Sequence, residues 1–327
     1  MDLTPRPVPG TDLSISPLVL GTMTFGAQVD RPTAARMVGQ AREAGVTMFD
    51  TANSYNDGES ERILGEVVAP FRDEVLVATK VFKPTGPGPD DRGLGRAAVA
   101  KALDASLRRL GTDHVDVYYL HFPDPDTPVE ESLEAVQDAV DAGKVRHVAL
   151  SNFASWQVAE ARSVQERRGW PPVHVCQPVY NLLARRIEGE YEAFSRRYEI
   201  FNIVYNPLAG GLLTGKHTDP ARPASGTRFT EDLGELYRER YWNAAQLGAV
   251  EALREVAAGA GVTMVELAIR WLLARPVVGG VLLGASSPEQ LAANLDAAQG
   301  PALPPDAEEA CDAVWARLRG AAPAYHR

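Results

Sequence analysis

Short apolar runs and longer helical stretches alternate from one end of this chain to the other, and that rhythm leaves few folds open. The apolar runs are 17–20, 46–50, 75–80, 115–120, 145–150, 173–176, 200–205 and 277–283. Helical stretches follow at 33–44, 60–68, 96–110, 128–141, 156–167, 188–198, 242–259, 264–274, 288–295 and 306–318. Their punctuation is physical: Gly45, Gly111 and Gly143 stand just past helix ends, Pro70 stops one helix, and Pro128 sits in the first turn of another. Strict alternation of strand and helix implies a parallel sheet. Eight such units in 327 residues imply a closed (β/α)8 TIM barrel, here one domain over 1–327 with extra helices toward the C-terminus. The rival, an open doubly wound sheet, would carry G-x-G-x-x-G after its first strand, and none is there. Residues 3–15 read as a hairpin that closes the barrel bottom. The longest irregular stretch, 217–233, is rich in Pro, Gly and Thr, and a loop that long in a compact domain is usually functional.

Composition narrows the partners. A net charge of −10 without any basic run argues against nucleic acid and anionic membrane. Two distant cysteines, Cys176 and Cys311, have no metal-ligand spacing, so no metal site or disulfide framework is expected. The start MDLTPRPVPG lacks the apolar core of a signal peptide, and no apolar run reaches the ~20 residues of a membrane helix. The expectation is a cytoplasmic protein.

In a parallel barrel the active site lies where strands end. The second run ends at Asp50, with Tyr55 in the loop beyond it, and the third at Lys80. The fourth ends at His121, the fifth at Ser151 and Asn152, the sixth at Gln177. The seventh ends at Tyr205 and Asn206, and the eighth at Gly284, Ser286 and Ser287. Taken singly, each is an ordinary turn, cap or rim residue; the information is in their convergence. Asp50, Tyr55, Lys80 and His121 make a coherent chemical set. Tyr is a weak acid with a pKa near ~10, and an adjacent ammonium lowers it. Asp50 supplies the counter-charge for Lys80, and His121 a hydrogen bond to a carbonyl oxygen. A proton donor, its tuner and an electrophilic donor suit carbonyl reduction, for which a nicotinamide cofactor must bring the hydride.

At these positions the sequence resembles the aldo-keto reductase superfamily along nearly its whole length. The resemblance rests on LGTMTFG, FDTANSYNDGESERILGE, VATK, YYLHFPD, GKVRHVALSNF, QPVYNLL, YNPLAGGLLTGK and LGASSPEQLAANL. It implies a metal-free barrel that binds NADPH across its mouth, with Asp50, Tyr55, Lys80 and His121 as the catalytic tetrad and Tyr55 as proton donor. It also implies that Ser151, Asn152 and Gln177 hold the nicotinamide carboxamide and that Tyr205 stacks on the ring. The loop from Asn206 through Pro207, Leu208, Gly210, Leu212 and Gly215 to Lys216 would wrap the pyrophosphate. Gly284, Ser286, Ser287, Gln290 and Asn294 would meet the adenosine, in a turn entering a helix where free N–H groups suit an anion. Many members carry Lys and Arg where this chain has Gly284 and Gln290, which leaves NADH open as well. Arg228 is expected to compensate, since Arg grips phosphate in a forked geometry.

ELYRERYW, LGASSPEQL and the tail Tyr325-His326-Arg327 are most similar to the aflatoxin-aldehyde and succinic-semialdehyde reductase branch, which implies a homodimer. On that likeness Met23, Tyr237, Arg240 and Arg327 line the substrate pocket, and the two arginines bind a substrate carboxylate. Met23 and Phe25 read equally as an apolar wall or as core. An alternative function is that of a cofactor-binding regulatory subunit, because potassium-channel β-subunits resemble the same superfamily. A barrel glycosidase using Glu59, Glu61 or Asp124 is a weaker third reading.

Overall fold

The computed structural model describes residues 3–217, 222–223, 227–230 and 234–321. Eight parallel strands close into a barrel: β3 (Leu18–Gly21), β4 (Met48–Asp50), β5 (Leu76–Val81), β6 (Val115–Leu120), β7 (Val145–Ser151), β8 (Val175–Gln177), β9 (Phe201–Val204) and β10 (Gly280–Leu283). They neighbour one another in chain order, and β10 returns to β3 with Val281 opposite Leu18. The (β/α)8 expectation holds. Ahead of the barrel, β1 (Arg6–Pro7) and β2 (Ser14–Ile15) pair antiparallel as the expected hairpin.

Strand periodicity decides which side chains reach the site. Val19, Met48, Ala78, Val117, Ala149, Val175 and Ile203 belong to one buried cluster inside the barrel, and Val8, Leu13 and Ile15 of the hairpin plug it from below. Side chains alternate along a strand. Stepping two residues onward from these interior positions gives Asp50, Lys80, Tyr119, Ser151, Gln177 and Tyr205. Four residues on from Val117 is His121. The alternation that fills the core therefore also delivers polar groups to the mouth. The outward-facing alternates pack in a second, larger cluster beneath the helices.

The surrounding helices are α1 (Arg31–Glu43), α2 (Glu59–Val68), α3 (Arg96–Leu110), α4 (Val129–Asp141), α5 (Ser155–Arg168), α6 (Tyr191–Arg197), α7 (Gly234–Tyr241), α8 (Ala244–Gly259), α9 (Met264–Leu273), α10 (Pro288–Gln299) and α11 (Pro305–Arg319). α9 packs on α10, whereas α8 and α11 pack together. Three expectations need correction. The helix expected over 242–259 begins at Ala244 instead, because the Asn243 side chain caps α8 by accepting from Gln246 N, and the Trp242 ring turns onto Phe229 and His217. The helix expected over 188–198 loses its first turn, where Glu190 instead accepts a hydrogen bond from Ser155 Oγ. The strand expected at 173–176 begins two residues later. Pro171 and Pro172 offer no N–H, and Val173 N is taken by Gln165 Oε1 rather than by a neighbouring strand. No single helix among the described residues is long and apolar enough to cross a membrane.

Candidate active site

Lys80 is the centre of the site. Its ammonium is wholly buried near the end of β5 and ion-paired to Asp50 Oδ1 at the end of β4. It also donates to Thr51 O at 2.7 Å. The second Asp50 oxygen accepts from Gln177 Nε2 at 3.0 Å. An isolated buried charge costs far more than folding can bear, so both members have to be paired and bonded. Burial opposes the charge on Lys80, but the Asp50 carboxylate and the Tyr55 hydroxyl outweigh it and raise its pKa above the usual lysine range. Lys80 is thus a permanent cation at the mouth.

Tyr55 opens a short 3-10 turn, Tyr55–Gly58, and its hydroxyl lies against the Lys80 ammonium, which stands 5.3 Å from the ring centroid. The expectation of an unusually acidic phenol is corrected here. Burial pushes the Tyr55 pKa up, and the pull of Lys80 in the other direction does not overcome it. Tyr55 therefore holds its proton at neutral pH. The His121 ring meets Tyr55 edge-on at 6.2 Å between centroids and stacks on Phe122 at 4.7 Å. Burial, then the Lys80 and Lys83 ammoniums, hold His121 well below the usual imidazole range, so it is neutral. Its Nδ1 is buried without a hydrogen-bond partner. The structure brings all four expected tetrad residues together.

Beside them, Ser151, Asn152, Gln177 and Tyr205 form one network. Asn152 Nδ2 donates to His121 O at 2.9 Å and to Ser151 Oγ at 3.0 Å, Ser151 Oγ donates to Gln177 O at 3.0 Å, and Tyr205 OH donates to Asn152 Oδ1 at 2.7 Å. The Arg240 guanidinium, on the otherwise exposed side of α7, stands against the Tyr205 hydroxyl. Arg240, although exposed, thus reaches the hydroxyl that closes the Asn152 network.

The loop after β9 is built differently. Asn206, Ala209, Gly210, Gly211 and Gly215 all have positive φ. Asn206 Oδ1 accepts from Gly210 N at 2.6 Å, closing the turn on itself. Pro207 and Leu212 are buried, main chain included, while Leu208 is half-buried and Lys216 exposed. A Cβ at Gly210 would lie 2.5 Å from Tyr237 Cδ1, so the absence of a side chain lets Tyr237 lie flat on the loop. Arg228 Nη1 donates to Tyr237 OH at 2.9 Å and stands 3.9 Å from Met23 Sδ. Its Nη2 is 3.3 Å from where a Gly284 side chain would begin. Met23, Arg228, Tyr237 and Gly284 therefore meet across the mouth, between the ends of β3 and β10. Phe25, in contrast, is fully buried core.

At the last turn the expectation of free N–H groups is corrected in part. Ser287 Oγ caps α10 by accepting from Gln290 N, and the Gln290 side chain already takes Ser286 N and Ser286 Oγ. Asn294 Nδ2 donates to Gly284 O at 3.3 Å. Arg327 lies outside the described residues.

Sequence reasoning missed Asn181 and Tyr241. Asn181 Nδ2 donates to Asn206 O and to Tyr241 OH, and Asn206 Nδ2 also donates to Tyr241 OH. These two residues tie α7 to the start of the glycine-rich loop. Both lie inside stretches, QPVYNLL and ELYRERYW, that carry the resemblance, but no local pattern marks a residue whose partners lie 25 and 60 positions away.

The sequence profile described as "Aldo/keto reductase family" matches residues 17–316. The chain is 37% identical over 325 residues to aflatoxin B1 aldehyde reductase member 2 of Homo sapiens, covering 94% of this chain and 89% of that protein. It is 35% identical to a probable voltage-gated potassium channel subunit beta of Oryza sativa, covering 92% and 93%. It is 36% identical to the uncharacterized oxidoreductase YrpG of Bacillus subtilis, covering 86% of each. With a barrel of this topology, a buried Lys–Asp pair against a tyrosine hydroxyl, and a match of this extent, the chain belongs to the aldo/keto reductase family.

Proposed function

We propose that this protein reduces aldehydes or ketones to alcohols with NADPH, using Tyr55 as the proton donor. The observation that carries the reading is the buried Lys80 ammonium, fixed by Asp50 and set against the Tyr55 hydroxyl. The other residues fit a dinucleotide. Gly284 has no side chain at the mouth, Arg228 offers a forked cation beside it for phosphate, and Asn152 Oδ1, which accepts one bond from Tyr205, has a second lone pair for a carboxamide N–H. When bound, the reduced nicotinamide supplies the hydride.

The chain's own groups handle the proton. Tyr55 keeps its proton until an alkoxide forms, because burial holds its pKa up. An alkoxide is far more basic than any phenolate, so transfer is downhill once hydride has reached carbon. Lys80 then stabilises the phenolate left behind, and Asp50 keeps Lys80 charged. Neutral His121 donates a hydrogen bond to the carbonyl oxygen and orients it. Arg240 and Tyr237 favour aldehydes that also bear a carboxylate, or dialdehydes; the human relative is named for reducing an aldehyde.

The test is NADPH oxidation against a carbonyl panel, repeated with NADH. Tyr55→Phe removes only the transferable proton, so turnover falls by about 10²–10⁴-fold while NADPH still quenches protein fluorescence as in the unsubstituted chain. Unchanged turnover in that variant excludes Tyr55 as the acid. Tight NADPH binding without turnover on any carbonyl favours a regulatory subunit instead; the rice relative is named a probable potassium channel subunit.

A further inference from the structure

Tyr55 must be held on Lys80, yet it does not sit on a strand. The residues after it, Asn56, Asp57 and Gly58, all have left-handed φ, at 50°, 54° and 82°. Two of them are not glycine, and such backbone persists only where its surroundings over-determine it. On one side the turn is fastened to the end of β3. Asn56 Nδ2 donates to Met23 O and Phe25 O at 2.9 and 2.7 Å, and Ser60 Oγ donates to Thr22 O at 2.7 Å. On the other side the fastening is a carboxylate. Glu61, in the first turn of α2, is wholly buried, and its Oε1 accepts from Thr79 Oγ1 at 2.5 Å. Thr79 precedes Lys80 on β5 and points outward, toward the helices, where Lys80 points inward. Glu61 Oε2 accepts from Arg109 Nε of α3 at 2.6 Å. Arg109 also lies over Gly58: a Cβ there would be 2.6 Å from its Cδ and Nε.

Resting on the reductase reading above, we infer that Glu61 is a positioning residue that sets the distance between Tyr55 and Lys80. One carboxylate oxygen grips the strand that carries the lysine. The other orders the arginine that presses the end of the tyrosine's turn into place. Neither Glu61 nor Arg109 touches the reacting atoms.

A buried carboxylate–arginine pair at the opposite end of the barrel supplies the control. Asp116, the second residue of β6, accepts from Arg72, Arg146 and Val77 N, and is as buried as Glu61. Glu61→Gln, Thr79→Val and Asp116→Asn are compared for Tm, for NADPH affinity by fluorescence quenching, and for kcat. The titration of Tyr55 is followed separately, in isotope-labelled tyrosine spectra assigned with Tyr55→Phe. The charged and titratable groups facing that hydroxyl are Lys80, Asp50, Arg228, Tyr237 and Tyr205, with the His121 ring beside it. The expected result is a kcat lowered about 10- to 100-fold in Glu61→Gln and less in Thr79→Val, a misplacement effect. NADPH affinity stays within about twofold, since the nucleotide-facing residues are untouched. The Tyr55 titration midpoint moves up as the ammonium's pull weakens, whereas Asp116→Asn lowers Tm alone. If Glu61→Gln does not fold, Thr79→Val carries the same test by deleting one hydroxyl. The inference is overturned if Glu61→Gln keeps both kcat and the Tyr55 midpoint, or if Asp116→Asn loses kcat equally. Should the unsubstituted chain reduce no carbonyl, the function fails, and the Tyr55 titration still decides the role of Glu61.

Discussion

The two halves of the barrel mouth are built on opposite principles. On the side of β4, β5 and β8, the charged and amide groups at the strand ends are buried and bonded to one another: Lys80 to Asp50 and Thr51 O, Asp50 to Gln177. On the side of β9 and β10 the surface is loop. Five residues between Asn206 and Gly215 have positive φ; among the described residues the Tyr237 ring lies over Gly210, and Arg228 joins that ring to Gly284. The first half has no alternative arrangement that avoids an unpaired buried charge, so it is rigid whatever is bound. The second half can be rearranged at the cost of a few exchangeable contacts. Proton transfer tolerates little displacement, whereas a dinucleotide has to enter and leave, and each half has the build its proposed task requires.

The contrast can be broken most severely at Lys80. Lys80→Met strands Asp50 in the interior without its partner, and a loss of about 3–5 kcal/mol in unfolding free energy is expected, read by denaturant titration, together with loss of turnover. A stability close to that of the unsubstituted chain would mean that the rigid half is softer than its bonding indicates. On the loop side the corresponding lesion is milder. Gly210→Ala puts a side chain at φ 71° and into the Tyr237 ring. It should cost about 1–2 kcal/mol and loosen NADPH, with kcat on saturating cofactor nearly unchanged. Arg240 bridges the halves through Tyr205, so Arg240→Ala sharpens the comparison. KM for a carboxylate-bearing aldehyde should rise about tenfold, as for loss of one charged hydrogen bond, with little change for a neutral aldehyde. An equal effect on both would place Arg240 with the cofactor instead.

The smallest effect concerns pH. His121 is held neutral in the fold, so its folded pKa lies below that of the unfolded chain. Between the two values the unfolded state binds the extra proton. Its contribution to stability is therefore complete above ~6.5 and is lost as pH falls from there toward the folded pKa, with a slope of at most about 1.4 kcal/mol per pH unit. His121→Asn should flatten the acid limb of the stability profile by that much. An unchanged slope would show that the imidazole does not stay neutral.

Much of this was legible in the residues alone. The alternation of apolar runs dictated the barrel, because a parallel sheet of eight such units has one economical closure, and the polar residue at each strand end marked the mouth. Asp50, Lys80 and His121 could be placed because a strand's period of two is local. Element boundaries at 173–177, 188–198 and 242–244 were not legible, because they were settled by side chains such as Gln165, Glu190 and Asn243 competing for backbone partners.

What the tertiary structure alone decided are quantities that depend on surroundings. Adjacent residue types suggested an acidic phenol at Tyr55, but burial outweighs the neighbouring ammonium, and burial is a property of the packed molecule. Whether Arg240 is a solvated charge or part of the site was likewise open until α7 laid it against Tyr205, and Glu61 carried no hint of its tie to Thr79 and Arg109. Periodicity is written in neighbours along the chain, whereas electrostatic balance is set by neighbours in space.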